Sequence, residues 1–144
     1  MSFKDILNRN MDDVEAPKPV PVGTWTFKMS LKLKAPKTED DDGYVQGIFV
    51  PIGAKDDVSP DEVAELGELE NARVFQRFWL RDNRDEWKMK QLLVTAGVEV
   101  SGKTLAEAIQ AADGYLIDAA VSHDPNPDDP QRPYERLTAF ASAA

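Results

Sequence analysis

The sequence predicts a mainly β domain in which a helix interrupts a run of five strands. Three features predict it. The stretch from Thr24 to Lys34 alternates apolar and polar residues over about ten positions, the period of a strand with one buried face. The stretch from Arg73 to Arg81, RVFQRFWLR, alternates in the same way. Between that stretch and the next strand signal, the spacing changes to that of a helix with a cap at each end.

Taken in order, Ser2 to Asn10 places Phe3, Ile6 and Leu7 at helical spacing. It is too short to be stable alone and is expected to dock as an arm or fray. Ala16 to Gly23, with three prolines, reads as an extended lead-in. The first strand puts Trp25, Phe27, Met29, Leu31 and Leu33 on one face and Lys28, Lys32 and Lys34 on the other. Its length suits a strand that bends across a small barrel. Thr38 to Gly43 is an acidic turn, and Tyr44 to Ile52 is the second strand, with Gly47 expected as a bulge or bend. Ser59-Pro60-Asp61-Glu62 starts a short helix over about 60–66, with Ser59 as its N-cap. Arg73 to Arg81 is the third strand. Asp82 or Asn83 caps a helix to about Ala96, Gly97 stops it, and Trp87, Leu92, Leu93 and Ala96 are its expected apolar side. Thr104 to Ala112 is a second short helix, Tyr115 to Val121 the fourth strand, Asp124 to Pro130 a proline-rich loop, and Tyr134 to Ala141 the fifth strand.

Strand, strand, strand, helix, strand, strand is the βββαββ order of the OB fold, a five-stranded partly open barrel that binds oligonucleotides and oligosaccharides. The expected organisation is an N-terminal arm over residues 1–22. A single OB-like domain follows over 23–144, with an acidic insertion at about 53–71. At 144 residues the chain suits one domain with its own core.

The absence of cysteine excludes disulfides and thiolate metal sites, and it fits a reducing cytoplasm. No apolar run approaches the ~20 residues of a membrane-spanning helix. The formal charge of −9 argues at first against a polyanionic partner. Its distribution argues otherwise. Residues 23–37 carry +4, from Lys28, Lys32, Lys34 and Lys37, and residues 71–90 carry +3, whereas residues 38–70 carry −10. With a Debye length of ~8 Å at physiological salt, a local basic surface acts on a polyanion despite the total.

The third strand carries the most informative constellation. One face holds Val74, Gln76, Phe78 and Leu80. The other holds Arg73, Phe75, Arg77, Trp79 and Arg81. Single-stranded nucleic acid requires that mixture: cations that replace counterions at phosphates, and rings on which unpaired bases stack. The competing reading packs Phe75 and Trp79 into the core, but three arginines on the same face disfavour a dry environment. Lys28, Lys32 and Lys34 would extend the face into a groove with at most about six cations. Tyr44 and Tyr134 are further candidate stacking residues, and Tyr115 is a weaker one. No catalytic residues, metal ligands or cofactor site are expected. His123 is the sole histidine, Gly102-Lys103-Thr104 lacks the upstream glycine of a phosphate loop, and Glu39 to Asp42 lacks EF-hand spacing.

The opening SFKDILNRNMDDVEAPKPVPVGTW resembles the start of an uncharacterised phage protein family whose members sit among replication and recombination genes. ARVFQRFWL, followed by WKMKQLLVTAG with Trp87, Lys90, Leu92, Leu93 and Gly97, resembles that family's middle, and GYLIDAAVSHD its late strand. The resemblance implies an OB-fold single-stranded-DNA-binding protein that is not an enzyme. It also implies single-stranded DNA and replication or recombination proteins as partners, and the host cytoplasm as location. Ala139 to Ala144 has no acidic tip, so recruitment through the C-terminus is not implied. Two other classes stay open: an acidic module that inhibits or recruits a host protein, and a small structural virion protein. The Phe3/Ile6/Leu7 arm leaves open whether the chain closes on itself or swaps into a homo-oligomer.

Overall fold

A computed structural model describes residues 2–13, 18–130 and 132–143. The first helix, α1 (Phe3–Leu7), is one turn closed by a capping box between Ser2 and Asp5. Its apolar residues are all exposed. Of the expected lead-in, Ala16 and Pro17 lie outside the described residues. The rest is anchored: Val20 is buried, its N–H donates to Glu135 Oε2 at 2.8 Å, and its carbonyl lies 2.7 Å from His123 Nε2.

Five antiparallel strands form one strongly curled, half-barrel sheet: β1 (Gly23–Lys34), β2 (Gly43–Ala54), β3 (Val74–Leu80), β4 (Leu116–Asp124) and β5 (Tyr134–Ser142), in the order β3-β2-β1-β4-β5. β1 pairs with β2 from Trp25 to Lys34, and its first half, Gly23 to Lys28, also pairs with β4. One long strand therefore serves both halves of the sheet. A register shift at Thr26/Phe27, opposite Pro51 and Gly53, adds local twist.

The alternation read from the sequence sets the inside of the curl. Trp25, Phe27, Met29, Val45, Phe49, Val74, Ile117, Ala119 and Val121 are at most 1% exposed. Each large apolar side chain among them contributes roughly 1.5–3 kcal/mol by leaving water. Trp25 satisfies its indole N–H on the Pro21 carbonyl at 3.0 Å. Leu33, expected on this face, is exposed, because β1 has passed beyond the core by that point.

The two edge strands approach each other without a backbone ladder. Gln76 on β3 turns inward, and its Oε1 accepts the Leu137 N–H of β5 at 3.3 Å. Phe78 and Phe140 meet across the same seam at 6.2 Å. Phe140 reaches it because Ala139 sits at φ 51, a left-handed kink beside the β4–β5 bulge.

Helix α2 (Pro60–Leu66) begins at proline as expected, but Ser59 makes no side-chain cap bond. Helix α3 (Asn83–Thr95) is capped by Asp82, whose side chain accepts from the Asp85 N–H, and Gly97 at φ +91 follows its end. Helix α4 (Leu105–Ala111) is capped by Thr104. α3 packs on β3 and β5, and α4 on β1 and α3. Their buried residues, Met89, Leu92, Leu93, Ala108 and Ile109, join the core.

Two further expectations fail. Gly47 is no bulge: it pairs regularly with Leu31 and Gln76. Its role is to leave room, since a Cβ there would lie 2.6 Å from the Phe49 ring and 2.9 Å from the Phe78 ring. Trp87 is not on the apolar side of α3. It is 60% exposed, and the buried side runs through Asp85, Met89, Leu92 and Leu93. Among the described residues, no helix is long and apolar enough to cross a membrane.

Candidate nucleic-acid interface

The registers of β1, β2 and β3 arrange their outward residues in rows. Lys34 pairs with Tyr44, and Tyr44 with Trp79. Lys32 pairs with Gln46, and Gln46 with Arg77. Ser30 pairs with Ile48, and Ile48 with Phe75. The basic face of β1 and the arginine–aromatic face of β3 thus lie on one outer surface, with β2 between them. Phe75 is 59% exposed and Trp79 38% exposed, so the reading that buries both in the core does not hold.

The densest part is the Tyr44–Trp79 row. The two rings meet edge to face with centroids 5.5 Å apart, close enough to hold each other's orientation. The Arg77 guanidinium carbon lies 4.2 Å from the Tyr44 centroid and 5.3 Å from that of Trp79. A planar cation therefore spans both rings and fixes them by cation–π attraction. These groups line a cleft of about 540 Å³ with Lys34, Lys37 and the loop bearing Asp40, Asp41 and Asp42. Among the described residues, Lys32, Lys34 and Arg77 have no ion-pair partner. Their charges are available to an outside anion.

Arg81 is differently placed from the expectation. Its Nε donates to Asp85 Oδ2 at 2.9 Å, and its backbone N–H donates to the same oxygen. That hydrogen bond, reinforced by the charge of Asp85, raises the arginine above its ordinary pKa. The same contacts hold the Asp85 carboxyl below the usual range. Arg81 still lies 5.9 Å from the Trp79 ring, so it buttresses the platform while its charge is shared with Asp85.

Phe75 and Arg73 belong to the opposite end of β3. They line a second cleft of about 590 Å³ with Tyr134, Arg132 and Lys18. Lys28 stands apart from both clefts, its stem passing over Gly114 on the β4 side of β1. Tyr115 is exposed there too, remote from β3. Arg132 is a residue that sequence reasoning missed, and Tyr134 one that it did not place beside Phe75. The proline-rich loop and the first residue of β5 carry no periodic signal for which side they face. Only the curl that brings β5 beside β3 puts them next to Phe75.

Glu135 borders this second cleft and holds Val20 by its backbone. Partial burial raises its carboxyl above the ordinary range, against the lowering effects of the Val20 N–H and of His123. His123 and Glu135 are cross-strand partners, so they grip the two backbone polar groups of one residue. Both are structural clasps on the lead-in. No protein-family model matches the chain, and no curated protein sequence matches it.

Proposed function

We propose that this chain is an OB-fold protein that binds single-stranded DNA with little sequence preference, along the outer face of β1, β2 and β3, in a phage replication or recombination setting. The observation that carries the reading is the in-register row Lys34–Tyr44–Trp79 with Arg77 laid across both rings. A pre-positioned aromatic pair offers base-stacking surface without an ordering cost, and the unpaired cations beside it suit phosphates. Every base has a π-face, so such a platform tolerates sequence. The OB assignment draws on the strand order, with β1 shared between both halves of the sheet and β3 and β5 meeting at an open seam. The clefts at the two ends of β3 are bordered by the β1–β2 and β4–β5 loops, where OB folds hold oligonucleotides.

The test is affinity for a labelled oligo(dT) of Trp79→Ala and Arg77→Ala, each checked for folding by circular dichroism. Loss of a base–aromatic stack is worth ~1–3 kcal/mol, a weakening of about five- to 150-fold. Two folded variants that bind as tightly as the parent would refute the proposed face. Asp40 to Asp42 in the same cleft favour a second reading, in which the cleft takes a protein partner. That reading requires that single-stranded DNA does not bind even at low salt.

A further inference from the structure

Helix α3 has an outward side that the packing of the core does not use. At 3.6 residues per turn, the buried line Asp85–Met89–Leu92–Leu93 leaves Arg84, Trp87, Lys90, Gln91 and Val94 on the far half, with Lys88 at its border. All five are exposed, and Trp87 is the most exposed of the three tryptophans. In a chain of net charge −9, this surface carries Arg84 and Lys90, with Lys88 at one border and Glu86 at the other. Of the acids on α3, Asp85 is buried against Arg81, and Glu86 lies on the other flank, in a cleft with Lys90 and Ser101. Neither Arg84 nor Lys88 has an ion-pair partner among the described residues.

This surface is continuous with the platform. Lys88 lines a small cleft of about 180 Å³ together with Arg77, Trp79, Arg81 and Asp85. From Lys88, Arg84 lies one helical turn back, and Trp87 is three residues beyond Arg84, so each is a surface neighbour of the next. The succession Trp79, Lys88, Arg84, Trp87 thus repeats on a helix the alternation of ring and cation found on β3. A large indole standing 60% in water contributes nothing to the core, and its cationic neighbours suit an anionic partner better than an apolar one.

From this we infer that the outer side of α3 is a second stacking site for single-stranded nucleic acid. A strand leaving the Tyr44–Trp79 platform continues over Lys88 and Arg84 and stacks a base on Trp87. The inference rests on the platform reading and extends it from the sheet to the helix. It predicts two classes of ligand: short oligomers that fill only the platform, and longer ones that reach Trp87.

Intrinsic fluorescence tests it, because Trp25 is fully buried and only Trp79 and Trp87 are accessible. The variant Trp79→Phe keeps a ring on the platform and leaves Trp87 as the accessible reporter. Its emission should be quenched by oligo(dT) of about 30 nucleotides and much less by one of about six. Binding of both oligomers is followed independently by the anisotropy of an oligonucleotide label. The double variant R84A/K88A should weaken binding of the long oligomer about tenfold. It should also flatten the salt dependence by about 1.4 in log–log slope, at roughly 0.7 per phosphate contact.

Binding of the long oligomer to Trp79→Phe with unchanged emission would overturn the inference and leave the platform reading standing. Quenching of Trp79 in the complementary variant Trp87→Phe, with none of Trp87 in Trp79→Phe, would do the same. Absence of any binding by the parent protein would remove the platform reading and the inference together. Retention of a protein partner on Trp87 without any DNA response would assign the surface to that partner instead.

Discussion

Replacing Gly47 with alanine adds one methyl group at the point where the core is tightest. The new Cβ would lie 2.6 Å from Phe49 Cε2, 2.9 Å from Phe78 Cε2 and 3.1 Å from the Gln76 carbonyl oxygen. Both rings are constrained. Phe49 is fully buried and packs on Phe27, Phe78 and Phe140 at centroid distances of 6.0–6.3 Å. The carbonyl belongs to β3, which is paired with β2 at Gly47 itself, so the contact can be relieved only by opening the ladder or displacing the ring cluster. Overpacking of this kind costs roughly 1–3 kcal/mol. The smaller entropy of the unfolded alanine chain returns about 0.4–1 kcal/mol, leaving a net destabilisation of up to about 2.6 kcal/mol. Urea unfolding followed by circular dichroism measures it, against Gly53→Ala as a control. A Cβ at Gly53 meets nothing within 4 Å, so that variant should be neutral or slightly stabilised. A Gly47→Ala protein as stable as Gly53→Ala would refute the packing argument.

Glu135→Gln keeps an acceptor for the Val20 N–H and removes a partly buried charge. The folded pKa of Glu135 is raised, so its ionisation costs the parent stability as pH climbs through that value. The stability difference in favour of the variant should therefore grow from about pH 4 toward neutrality in urea titrations at successive pH values; a pH-independent difference would contradict it. Asp85→Asn leaves Arg81 with a neutral partner. Because the Asp85 pKa is lowered, its contribution is present above the ordinary aspartate range and is lost as pH falls through the folded value. Parent and variant should accordingly converge in thermal stability in acid and separate near neutrality.

Much of the fold is written in local signals. The two-residue period places the inner residues of β1, β2 and β3, and the caps at Asp82 and Thr104 and the stop at Gly97 bound the helices to within a residue or two. Where such signals are missing, the reading slips. β4 runs on to Asp124 because β5 continues to pair with it, Asp124 lying opposite Tyr134, ten residues further along the chain. Trp87 looks apolar in sequence, yet the side of α3 that turns inward is selected by the seam between β3 and β5. Gln76 is polar on a core strand, and its reason, the Leu137 N–H, is 61 residues distant.

The candidate site was legible to the same depth. Alternation alone puts Phe75, Arg77 and Trp79 on one face of β3. It does not reveal that Tyr44 lies directly opposite Trp79, that Arg81 is held by Asp85, or that Phe75 faces Arg132 and Tyr134 across a cleft. Those relations come from register and curl, which are set by pairing between distant segments. Lys28 shares the periodicity of Lys32 and Lys34 but leans away, since β1 at that point is bonded to β4 as well as β2.

The most direct measurement is equilibrium binding of a fluorescently labelled ~30-nucleotide oligo(dT) over a series of salt concentrations, with the matching duplex in parallel. Lys32, Lys34, Arg73 and Arg77 on the sheet predict selective binding of the single strand, with a log–log salt slope of about −3 from these four contacts, steeper if the α3 cations also engage. Absence of binding at the lowest salt, or equal affinity for the duplex, would contradict the account.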